Sequence, residues 1–128
     1  MGPDKRISTR LKLRWAVTLL TATERVEGIT RNLSVNGAFV YYYRPHRDGK
    51  PLRLYESVGM VLEVPDRLPL LIRAVVVWSD ILSSDEGNTL LGVGLHFTDV
   101  FYEDRNYLRK IVAQDEKMCS PEQSRTQG

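Results

Sequence analysis

The sequence predicts an all-β protein with one C-terminal helix, arranged as a small six-stranded antiparallel barrel. Three observations predict it. Apolar and β-branched runs of strand length recur between turn signals at hairpin spacing. The apolar period changes from strand-like to helical only once, after Val100. One helix with one apolar face must then bury that face on the sheet, on a barrel mouth or on another subunit.

Within 128 residues there is room for one domain with a real core. The composition is that of an ordinary soluble protein, with no apolar run long enough to span a bilayer and no signal-peptide core. A single cysteine, Cys119, lies in a polar tail and fits a cytoplasmic location. The net charge is +2 and unevenly spread. Residues 1–14 carry five basic side chains against one acid, Asp4, a net of +4, which leaves −2 for the rest. The positive charge therefore calls for an anionic partner at the arm and argues against a nucleic-acid groove over the whole surface.

Residues 1–12 read as a flexible basic arm centred on Arg6-Ile7-Ser8-Thr9-Arg10. Alone, that pair reads as a solvated tail; the alternative is two guanidinium groups reaching one ligand. Leu13–Leu20 reads as the first strand and Val26–Arg31 as the second, with Gly28 marking a bulge or a sharp bend. Asn32-Leu33-Ser34-Val35-Asn36-Gly37 reads as a turn, because Asn-Gly tolerates positive φ. Asn32 and Ser34, two apart, are expected on one face. Ala38–Tyr43 is the third strand, with Tyr42 facing opposite to Tyr41 and Tyr43. Arg44–Tyr55 reads as an exposed loop holding a surface histidine, His46. Val58–Val64 is the fourth strand and Leu70–Trp78 the fifth. Ser79–Asn88 reads as a polar loop, and Thr89–Asp99 as the sixth strand. Gly92-Val93-Gly94 lacks the third glycine and the helix of a dinucleotide fingerprint, so its glycines are assigned to bending or close backbone approach. His96 reads as structural. About 101–114 is an amphipathic helix on Tyr107, Leu108, Ile111 and Val112, capped by Asp99 or Asp104. Residues 115–128 read as a disordered tail.

Arg6-x-x-x-Arg10 before the first strand, Asn32-x-Ser34-x-x-Gly37 after the second and Gly92-x-Gly-x-x-Phe97 in the last occur in the order of the PilZ domain family, which the chain resembles over about residues 5–114. The resemblance implies a PilZ-type barrel and a bacterial, non-enzymatic receptor for the second messenger cyclic di-GMP. It assigns ligand contacts to Arg6, Arg10, Asn32, Ser34 and Gly37, with Lys5, Asn36 and Trp78 in second rank. Guanidinium forks match phosphates or the O6/N7 edge of guanine. Asn32 offers a guanine edge one neutral carbonyl where the family's alternative, Asp, offers a charge. Trp78 has two readings, a rim or core tryptophan and a ring near the ligand. No cofactor, metal ligand set or catalytic residue is expected, because no metal spacing, nucleophile elbow or phosphate loop is present. The expected partners are the nucleotide and an unidentified downstream protein, with the chain a monomer or a homodimer. The competing readings are a barrel that binds proteins without nucleotide control and a small barrel that binds single-stranded nucleic acid through the arm and tyrosines.

Overall fold

The computed structural model describes residues 14–45, 49–85 and 87–113. Six strands, β1 (Ala16–Leu20), β2 (Arg25–Leu33), β3 (Gly37–Pro45), β4 (Ser57–Leu62), β5 (Leu70–Asp85) and β6 (Asn88–Val100), form a closed barrel in the order β1-β2-β3-β6-β5-β4. Every pairing is antiparallel. Closure removes the open edges that a sheet of this size would expose.

Strand alternation fills the barrel. Val17 and Leu19, Val40 and Tyr42, Met60 and Leu62, Ile72, Ala74 and Val76, and Leu91, Val93 and Leu95 point inward and are buried. Tyr42 joins this core, while Tyr41 and Tyr43 face outward, as the period of two requires. The Tyr42 hydroxyl faces the Arg44 guanidinium and the Leu52 backbone without reaching hydrogen-bonding geometry to either. Burial pushes this phenol above its ordinary pKa, and the Arg44 charge works the other way.

A helix, α1 (102–113), follows β6 directly. Leu108 and Val112 are buried in the core, with Tyr107 and Ile111 packed against it. The Arg105 N–H donates to the Phe101 carbonyl at 2.9 Å, so the helix begins after Phe101 and neither Asp99 nor Asp104 caps it. Asp104 instead sits in the first turn, where a negative charge opposes the helix dipole, and pairs with Arg67 at 3.6 Å. Arg67 also lies 4.2 Å over the Tyr107 ring.

Several boundaries differ from the sequence reading. The expected loop Ser79–Asn88 is largely strand: β5 continues to Asp85 and pairs with β6 as far as Asp85↔Asn88. This part of β5 lies past β4, which leaves β5 at the Ser57↔Val75 pair, so β6 is its only strand partner. Two further irregularities let β5 bend, at Val77 and at Leu82. Polar composition suggested a loop, but hydrogen bonding to β6 needs no apolar side chains. Arg44 is likewise no loop residue; it lies within β3, half-buried and bonded to Glu24 at 3.1 Å. Gly28 lies in regular register with Val17. A Cβ there would stand 2.5 Å from the Tyr41 carbonyl oxygen, so the glycine serves close strand approach and the bulge falls three residues later.

Candidate functional site

The bulge at Arg31 decides which way the site faces. Thr30 and Leu33 are both buried inside the barrel, at 1% and 0% exposure. In a regular strand, residues three apart point to opposite sides. Here β2 slips register between Thr30 and Asn32, and Arg31 and Asn32 both point outward. A regular strand would have turned Asn32 into the core.

On the exterior, Asn32 pairs with Phe39, Phe39 with Gly94 and Gly94 with Trp78, one row across four strands. The adjacent row contains Gly37 opposite His96. Two glycines on neighbouring strands therefore form a low floor between raised side chains. The result is a groove of about 290 Å³ lined by Asn32, Ser34, Asn36, Gly37, Phe39, Val77, Gly94 and His96, among others. Among the described residues, no carboxylate lines it. Two other hollows differ in chemistry. One of about 280 Å³ is mostly apolar, around Leu20, Leu71 and Phe101. One of about 680 Å³ mixes Arg25, Arg44, Lys50 and Arg53 with Glu24, Glu27 and Glu56.

The turn between β2 and β3 is held by Ser34. Its N–H donates to the Gly37 carbonyl at 2.9 Å. Its hydroxyl accepts from the N–H groups of Asn36 and Gly37, at 3.3 and 3.2 Å, and lies 3.2 Å from the Gly37 carbonyl. The hydroxyl thus stands in for a backbone acceptor, as serine does in short turns. Neither Asn36 nor Gly37 has positive φ; among the described residues only Tyr55, Asp66 and Gly87 do. The positive-φ reading of Asn-Gly is therefore incorrect. Gly37 is glycine because a Cβ would collide with the Leu95 carbonyl of the adjacent strand. The turn is further fastened by Phe97 N–H to the Asn36 carbonyl, 2.8 Å, and by Arg105 Nη1 to the Val35 carbonyl, 3.5 Å.

The structure brings Asn32, Ser34, Asn36 and Gly37 together at one groove. Arg6, Arg10 and Lys5 lie outside the described residues, as does His46. The chain that leads from them is nevertheless anchored close by. The Trp15 N–H donates to Thr30 Oγ1 at 3.0 Å, and the Thr30 N–H to the Trp15 carbonyl at 2.9 Å, two residues before Asn32. Trp78 stands beside the groove without lining it. Its ring leans along β6, where a Cβ on Gly92 would meet it at 3.1 Å, and packs 5.1 Å from Phe39. Gly92 and Gly94 therefore make room for an indole rather than for a bend. His96, read as structural from the sequence, is exposed and lines the groove. Phe39 and Val77 were also missed: both carried only a strand signal, and Val77 faces outward by simple alternation after buried Val76, while the β5 bulge turns Trp78 outward as well.

An antiparallel six-stranded barrel with a capping helix and an exterior groove at the β2–β3 turn is the class that these features define. The model of the PilZ domain matches residues 4–114, and the chain belongs to that family. Among solved structures, it is similar to the Bacillus subtilis inhibitor of motility MotI/DgrA, with a TM-score of 0.69 and 17% identity over 91% of this chain and 56% of that one. Klebsiella (K. pneumonia) MrkH gives 0.72 and 15%, over 95% and 53%. The PilZ domain of Escherichia coli YcgR, solved with c-di-GMP, gives 0.64 and 10%, over 92% and 98%. The chain spans about half the length of the first two of these proteins. No curated protein matches it by sequence. Among the described residues, no group of three His, Cys, Asp or Glu side chains is placed to hold a metal ion, and no helix is long and apolar enough to cross a membrane.

Proposed function

We propose that this chain is a non-enzymatic cyclic di-GMP receptor acting in the cytoplasm. One observation carries the reading beyond family membership: the arm's root is hydrogen-bonded to Thr30 beside the groove that gathers Asn32, Ser34 and Gly37. Arg10 is five residues from Trp15 and Arg6 nine, and an extended chain advances about 3.3–3.6 Å per residue. Both guanidinium groups are thus within reach of the groove. A groove without carboxylates among the described residues suits a dianionic ligand, and its glycine floor leaves space for a flat base. Asn32 takes the guanine edge. Arg6 and Arg10, seconded by Lys5, take the phosphates, where a planar fork outperforms a lysine ammonium. Ser34 holds the turn in shape and offers its hydroxyl only at the expense of that role.

Ligand phosphates draw the basic arm onto the barrel, so residues 4–12 lose mobility on binding. The wrapped arm is then a new surface for a downstream protein. The β2–β3 turn, bonded to α1 through Arg105, extends that surface to the helix.

Isothermal titration of cyclic di-GMP into the wild type and Arg10→Ala tests the reading. Binding to the wild type is expected, with a loss of about 2 kcal/mol in the variant for one charge-assisted contact. Absence of heat from the wild type at saturating nucleotide overturns it. Amide resonances of residues 4–12 that stay mobile in the saturated complex overturn the wrapping step alone.

A further inference from the structure

We propose that Arg31 is an additional ligand contact, holding the part of the dinucleotide that the groove leaves outside. The inference rests on the nucleotide reading above. The groove, at about 290 Å³, lies at the small end of ligand pockets, so it suits one base better than a whole cyclic dinucleotide. The second base must then rest on the neighbouring exterior surface.

That surface is basic at one point, where the β2 bulge turns Asn32 outward beside Arg31. With Thr30 and Leu33 both inside, Arg31 faces outward beside Asn32. Its guanidinium carbon lies 5.4 Å from the Tyr41 ring centroid. Tyr41 packs edge-on against Phe39 at 5.3 Å, and Phe39 lines the groove. The guanidinium is thus one ring removed from the groove wall. The side chain is exposed, and among the described residues no carboxylate pairs with it. By contrast, Arg25 on the same strand pairs with Glu27. An unpaired guanidinium backed by a tyrosine offers a flat outer face, on which a base can stack. It also offers a fork of N–H donors for the O6/N7 edge of guanine.

Titration of cyclic di-GMP into wild type, Arg31→Ala, Arg31→Lys and Arg25→Ala tests the assignment, with thermal unfolding of each free protein alongside. Arg31→Ala is expected to bind about tenfold more weakly or worse. Arg31→Lys keeps the charge but loses the plane and the fork, and is expected to stay weaker than wild type. Arg25→Ala is expected to bind within about twofold of wild type, and unfolding midpoints to be unchanged. Equal affinities for wild type and Arg31→Ala overturn the assignment and leave the receptor reading standing. So does an equal loss in Arg25→Ala, which would mean a general charge effect. A wild type that fails to bind overturns the receptor reading itself.

Discussion

At the scale of single residues, the site is built by what Gly37 lacks. A Cβ there runs into the Leu95 carbonyl, a backbone atom that can move only with its strand. Gly37→Ala must therefore push β3 away from β6 beside the groove. A loss of about 1–3 kcal/mol in urea unfolding is expected, the usual range for overpacking. Gly59→Ala is the comparison, since a Cβ there has no neighbour closer than 4.0 Å. Its loss should be clearly smaller; equal losses would refute the collision. The positive φ expected for Asn-Gly is not adopted at Gly37. Asn-Gly signals positive φ, but the actual demand comes from a strand some sixty positions later, which no local pattern contains. Ser34 was found for its chemistry, and its hydroxyl turns out to carry the turn.

At the scale of elements, β5 has two parts. Leu70–Val76 lies between β4 and β6, inside the closed barrel. Ser79–Asp85 pairs only with β6 and is almost entirely exposed. Backbone hydrogen bonds that bury no side chains open easily. Hydrogen exchange should therefore be fast for amides of Ile81–Asp85 and slow for Ile72–Val76. Comparable protection in both parts would contradict a weakly held β5 extension. The polar sequence of Ser79–Asn88 concealed this extension, because strand formation there depends on a partner and not on an apolar face.

For the whole molecule, closure of the barrel places Tyr42 inside, next to Arg44 and Leu52. Its folded pKa lies above the unfolded value near 10, since burial disfavours the phenolate. The sign follows from linkage. The neutral form's contribution is fully present below about pH 10 and is lost as pH rises through the folded value. Stability should fall on that alkaline limb. Tyr42→Phe should flatten the limb while changing stability at pH 7 by less than about 1 kcal/mol, because the hydroxyl makes no well-formed hydrogen bond. A limb of unchanged steepness in the variant would refute the assignment.

The number of strands, the single amphipathic helix and the motif residues on the β2–β3 turn were legible in the sequence, because each is a local pattern of period or spacing. The tertiary structure alone decided the rest. Bulges at Arg31 and Val77 turned Asn32 and Trp78 outward, and pairing of β3 with β6 brought His96 opposite Gly37. Bulges and cross-strand neighbours arise from register between distant segments. Register is set by how six strands close around one core, which a period read along one strand does not contain.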